Sequence, residues 1–204
     1  MRTIHPEHWT RLLPARLLGV ALGWSCWAAA AVAAPLEVIV RDRQGLPVAG
    51  AVVALERAGE PRSARAGATA EMGQRNRQFE PRLLVVQTGT EVQFPNHDKV
   101  RHHVYSFSPV KPFELQLYLG KAAPPVRFDK SGVLALGCNI HDQMSAFIVV
   151  VDTARFAITD EQGRAVFDAG GQTLRAWHSR LPELTLLARP APAEGGRLEW
   201  ALPL

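Results

Sequence analysis

The stretch Gly-Cys-Asn-Ile-His-Asp-Gln-Met at 137–144 sets a thiol, an imidazole and a thioether at three-residue steps: Cys138, His141 and Met144. A histidine pair, His102 and His103, lies upstream in FPNHDKVRHHVYSF (94–107). Thiolate and thioether are soft donors suited to Cu(I), and imidazole serves copper in either oxidation state. Two imidazoles and one thiolate, with a weak and distant thioether, form the donor set of an electron-transferring copper centre. Structural zinc asks for four strong Cys or His donors and has no use for the thioether. A cysteine nucleophile needs an activating base and an oxyanion hole, and that reading leaves Met144 without a role. Taken singly, Cys138 reads as a buried apolar-like thiol and Met144 as core filler. Their joint spacing with a second histidine carries the metal reading.

The address of the chain bears on a lone thiol. Residues 1–33 read as an export leader, with Arg2, Arg11 and Arg16 ahead of an uncharged run from Leu17 to Ala34. Ala31-Val32-Ala33 fits a small-x-small cleavage pattern, so the mature chain is expected to start near Ala34. The expected location is the periplasm; an uncleaved leader would instead anchor the protein to the membrane. Cys26 falls inside the leader, which makes Cys138 the single cysteine of the mature chain and excludes an internal disulfide. The whole chain holds 23 Lys and Arg against 19 Asp and Glu, and without residues 1–33 the balance is 20 against 18. That near-neutral mature chain, with no run of basic residues, argues against nucleic-acid binding. Nor is there a second, all-histidine cluster of the kind used for oxygen or nitrite chemistry, so the chain reads as an electron carrier rather than an enzyme.

The elements that must position these donors read as all-β. Short alternating or β-branched runs separated by Gly, Pro and Asp predict strands at 36–40, 51–55, 83–87, 91–94, 102–107, 133–137, 146–151, 165–168 and 174–177. Cys138 would end one strand, the loop 139–145 would fold His141 and Met144 back, and 146–151 would return as the next strand. QTGTE (87–91) reads as a short hairpin link, 64–75 as a linker that takes Met72 with it, and the Pro/Gly-rich 188–197 as a loop or frayed extension. His97 reads as a solvated loop residue, and His178 as structural or surface.

With those residues in place, the middle segment resembles a cupredoxin of the amicyanin and pseudoazurin type. It shares the Cys-x-x-His-x-x-Met loop, and Asn96 stands six residues ahead of His102, which is followed by His103 and Val104. The resemblance implies a Greek-key β-sandwich holding one type 1 copper ion on His102, Cys138, His141 and Met144. It also implies redox protein partners, such as a periplasmic dehydrogenase or a c-type cytochrome. The flanking segments 40–55 and 156–178 resemble the opening hairpin and later strands of a carboxypeptidase regulatory-like, transthyretin-type β-sandwich. The expected organisation is thus a leader (1–33), a first part of the outer sandwich (34–58), an inserted cupredoxin domain (64–152), the second part of the outer sandwich (153–187) and an extension (188–204). A single continuous sandwich is the alternative. As a whole the chain resembles bacterial methylamine utilization and plastocyanin-like proteins, which implies electron transfer near amine oxidation.

Three departures qualify the resemblance. His103 stands where Asn is common, which opens the choice of His102 or His103 as ligand; adjacent strand residues point to opposite faces, and register with Val104 favours His102. Asn139, Ile140 and Asp142 replace the proline often found beside the loop histidine, so the loop stiffness and the hydrogen bonds to sulfur differ. Asp142 and Gln143 make the surround of His141 more polar. Other readings of the donor set are a copper carrier or sensor that holds Cu(I) without redox turnover, and a binding module with a structural metal.

Overall fold

The computed structural model describes residues 34–120 and 124–204. The leader at 1–33, its cleavage pattern and Cys26 lie outside the described residues. Strands make up all the regular structure among the described residues, with no helix. In chain order they are β1 (Leu36–Arg41), β2 (Val52–Glu56), β3 (Thr69–Glu71), β4 (Gly73–Arg75), β5 (Gln78–Glu80), β6 (Leu83–Gln87), β7 (Glu91–Gln93), β8 (His102–Ser106) and β9 (Phe113–Tyr118). There follow β10 (Val126–Arg127), β11 (Gly132–Gly137), β12 (Ser145–Val151), β13 (Phe156–Ile158), β14 (Arg164–Phe167), β15 (Thr173–Trp177), β16 (Leu187–Pro190) and β17 (Gly196–Ala201).

The sheets run β14-β1-β17, β13-β2-β15-β16, β6-β12-β11-β8-β9 and β10-β7-β3, with β4-β5 as a separate hairpin. Side-chain alternation explains how the four larger sheets stack. Successive strand residues point to opposite faces. On β2, Val53 and Leu55 face one way, into a core with Val38 and Val40 of β1, Leu174 of β15 and Trp200 of β17. Val52 and Ala54 face the other way, onto Val133 of β11, Val149 and Val151 of β12, and Trp177. On β12, Ile148 and Val150 point away from that interface, into a third core with Val92, Phe94, Val104, Phe128 and Leu134. The result is four layers with three apolar seams. Both β2 and β12 are buried on two faces, which is why each reads as an unbroken apolar run. Burying one such Val, Leu or Ile side chain contributes roughly 1.5–3 kcal/mol, and the middle seam also stacks Phe147 on Trp177 at 4.9 Å.

Several expectations need correction. QTGTE is not a hairpin link: β6 pairs in parallel with β12, whereas β7 pairs in parallel with β3, so the turn at Gly89 carries the chain from one sheet to the other. Likewise β1 and β2 do not pair along their lengths but lie in facing sheets, and only the Arg41–Pro47 bridge marks the start of a hairpin. The linker at 64–75 contains β3 and β4, and Met72 is fully buried in the same core as Cys138 and Met144. The C-terminal tail is not frayed. It supplies β16 and β17, the latter pairing in parallel with the whole of β1 from Leu36 to Arg41. Gly195 serves close approach: it has φ 85°, and a side chain there would strike the backbone of Ala34.

Candidate metal centre

The strand β8 begins at His102 and sets its two histidines on opposite faces. His102 and Val104 point into the core shared with Cys138 and Met144, and His103 stacks toward Tyr105 with ring centroids 5.5 Å apart. The antiparallel pair β11 and β12 brings Cys138 and Met144 to one end of the same sheet, with Gly137 opposite Ser145 and also opposite Tyr105 of β8. The connecting loop closes on itself, because the Met144 N–H donates to the His141 carbonyl at 2.9 Å. Gly137 lets Tyr105 lie across the strand: a Cβ there would come within 2.6 Å of the end of the Tyr105 side chain.

Those elements gather three of the four expected residues tightly. One donor atom from each of His102, Cys138 and His141 lies within 4.8 Å of the other two. Cys138 Sγ stands 3.8 Å from His141 Nδ1, and the His102 and His141 rings meet edge to face with centroids 4.9 Å apart. His102 is 0% exposed, Cys138 4% and Met144 1%, whereas His141 is half-buried and is the member of the set that reaches toward solvent. Met144 packs in the same core cluster as Cys138. His103 stands apart from them, its Nε2 2.7 Å from Glu114 Oε1. His97 is a surface residue near Glu71, as a solvated loop residue would be.

The electrostatics favour neutral, ligating imidazole over imidazolium at the loop. Burial, then the neighbouring His102 ring and the Arg77 charge, push the His141 pKa below the ordinary histidine value, against the opposing field of Asp98. The His102 ring has its Nε2 2.8 Å from Asp98 Oδ2, and its Nδ1 is buried with no hydrogen-bond partner among the described residues. A buried nitrogen lone pair without a donor is costly, roughly 1–3 kcal/mol, unless something else fills its valence. This orphan fits a metal ion, as do the neighbouring thiol and thioether.

Sequence reasoning missed the supports. Asp98 accepts hydrogen bonds from the backbone N–H groups of Asn76 and Arg77 at 2.7 and 2.9 Å as well as touching His102. The spacing Asp98 to His102 was open to view in HDKVRH, but the turn that clamps the carboxylate is remote in sequence. Tyr118 sits opposite His102 in the β8–β9 ladder, receives a hydrogen bond from Gln74 and donates to the Phe94 carbonyl. Burial, reinforced by the charge of nearby Cys138 and opposed by Gln74, pushes its hydroxyl up to about 12. Asn96 Nδ2 donates to the Val100 and Tyr118 carbonyls, tying the loop before His102 to the end of β9.

No protein-family model and no curated protein matches this chain. Solved structures do. A reduced amicyanin variant is similar at 18% identity over 48% of this chain and 97% of that one, with a TM-score of 0.38. Amicyanin from Paracoccus versutus is similar at 15% identity over 48% and 96%, with a TM-score of 0.35. A purple cupredoxin from Nitrosopumilus maritimus is similar at 22% identity over 41% and 98%, with a TM-score of 0.33.

Proposed function

We propose that this protein is a periplasmic type 1 copper protein of the cupredoxin kind, carrying one electron at a time between a donor, such as a dehydrogenase, and an acceptor, such as a c-type cytochrome. The observation that carries the reading is the convergence of His102, Cys138 and His141 within 4.8 Å, with the free Nδ1 of His102 buried beside them. His102, Cys138 and His141 are the strong ligands and Met144 the weak one. Copper, when bound, supplies a one-electron couple. The thiolate and thioether suit its reduced form and the imidazoles suit both forms, so a fixed cage makes little demand for rearrangement between them.

The chain's own residues keep that cage fixed. The β11–β12 ladder holds both ends of the loop, the His141–Met144 turn closes it, and β8 pairs His102 with Tyr118 of β9 across a bulge between His102 and Val104. Buried Phe94, Val104 and Met72 exclude water from the sulfur side. His141, the half-buried member, is the contact through which the electron enters or leaves. The donor loses the electron that the site gains and the acceptor takes it on, with no bond made or broken.

The test is to titrate the metal-free protein with Cu(II). One equivalent bound, with an intense visible charge-transfer band that Cys138→Ser abolishes, is the expected result. Tight binding of Cu(I) alone, with no such band, would instead identify a copper carrier or sensor.

A further inference from the structure

Two features of the β4–β5 hairpin converge on Asp98. Its two-residue tip, Asn76 and Arg77, has φ of 52° and 58°. A type I′ turn requires positive φ at both central positions, and Asn suits the first. The second is normally glycine, and a left-handed arginine costs roughly 1–2 kcal/mol. Both tip N–H groups point at one carboxylate, that of Asp98. Successive backbone N–H groups aimed at one anion make a cradle for negative charge. The backbone of the same residue is held by Asn96, whose Oδ1 accepts the Asp98 N–H at 2.9 Å while its Nδ2 holds the Val100 and Tyr118 carbonyls. Asp98 is therefore oriented from two sides before it meets His102.

We infer that Asp98 is a positioning residue for the metal centre: it keeps the His102 proton on Nε2, leaves Nδ1 as the ring's only free donor, and places a fixed negative charge behind that ligand. This rests on the copper reading above. The chemistry follows from the contacts. A carboxylate acceptor 2.8 Å from Nε2 takes its N–H, so the neutral ring carries its lone pair on the buried Nδ1, which has no other partner among the described residues. A carboxylate behind a ligating imidazole makes the ring a better donor, and it stabilises the more positive metal state over the less positive one. His103 offers the contrast: its Nε2 meets Glu114, but that carboxylate is 53% exposed and uncradled, and the ring faces away from Cys138.

The experiment compares the full chain with Asp98→Asn, which keeps the size and removes the charge. The variant is expected to retain the charge-transfer band while its affinity for Cu(II) relative to Cu(I) falls about tenfold, a rise in potential of about 59 mV for one electron. An unchanged potential in a variant that still binds copper overturns the inference and leaves the copper reading standing. Nitrogen-15 NMR of the metal-free wild type tests the orientation without copper and without a variant. His102 in the Nε2–H form is expected; the Nδ1–H form overturns the inference even if Asp98→Asn fails to fold. A wild type that shows no copper band sinks the copper reading, and the NMR result still decides whether Asp98 sets the tautomer.

Discussion

The outer sandwich and the inner one treat buried polar groups differently. In the outer sandwich every buried polar side chain is spent on a turn. Asp42 Oδ1 accepts the Gln44 and Leu46 N–H groups, and Thr159 Oγ1 accepts from Ala51 and donates to the Val48 carbonyl. Thr153 does the same between Arg155 and the Leu55 carbonyl. In the inner sandwich, by contrast, Gln74 Oε1, Gln78 Oε1, His102 Nδ1 and His103 Nδ1 are left without partners, and all the buried orphans among the described residues fall within 74–103. A protein that can satisfy its polar groups in one half tolerates the deficit in the other, at roughly 1–3 kcal/mol for each group. The difference separates a scaffold from a site: one half is closed chemically, and the other keeps valences in reserve.

Mutations in the two halves should act on different properties. The largest effect is expected from Cys138→Ala, which should abolish the copper charge-transfer band while shifting the stability of the metal-free protein by less than about 2 kcal/mol. Loss of the fold with the band would show Cys138 to be a packing residue first. Trp177→Ala should do the opposite. It empties the middle seam against Phe147 and removes the indole N–H that donates to the Glu183 carbonyl, so denaturant unfolding should report a loss of about 3–5 kcal/mol with copper affinity unchanged. A fall in copper affinity would mean that the outer sandwich tunes the site as well as supporting it.

Smaller effects follow. Met144→Leu should keep copper and raise the potential, read by voltammetry, because a weak thioether donor would stabilise the oxidised ion more than its replacement can; complete loss of metal would contradict a weak-ligand role. Asp152 joins the chain segments that flank the two sandwiches, accepting hydrogen bonds from Arg62, Thr88 and Ser131. Burial raises its pKa, and those hydrogen bonds with the Arg62 charge outweigh it, so the folded value lies below the unfolded one. Its contribution is therefore fully present above about pH 4 and is lost as pH falls through the folded value. Asp152→Asn should cost about 1 kcal/mol at neutral pH, discounted for the exposure of Arg62. The deficit should close in acid; a deficit that persists at low pH would assign it to packing. His103→Ala should leave the copper spectrum unchanged, and bleaching would reverse the assignment of the two histidines.

What could be read from the sequence follows from burial. Segments 83–87 and 146–151 announce themselves because their strands meet apolar layers, and β12 is buried on both faces. The donor loop was legible because its candidate donors lie three residues apart within one connection. The edge strand β9 escaped notice because only Phe113, Leu115 and Tyr118 touch the core, and its other residues are exposed. The three-residue strands β3, β4 and β5 are too short and polar for any period to show. The parallel pairing of β1 with β17 joins residues from opposite ends of the described chain, a register that no local pattern encodes. Asp98 was hidden for the same reason: its meaning lies in the Asn76–Arg77 turn, more than twenty residues away.

Optical and electron paramagnetic resonance spectra of the metal-free protein, recorded as Cu(II) is added, decide whether Cys138 binds copper. The account predicts an intense visible thiolate-to-copper band that saturates at about one equivalent, with a resonance signal from a single copper site. Failure of the protein to bind either Cu(II) or Cu(I) would contradict it, and would reduce the convergence of His102, Cys138 and His141 to core packing.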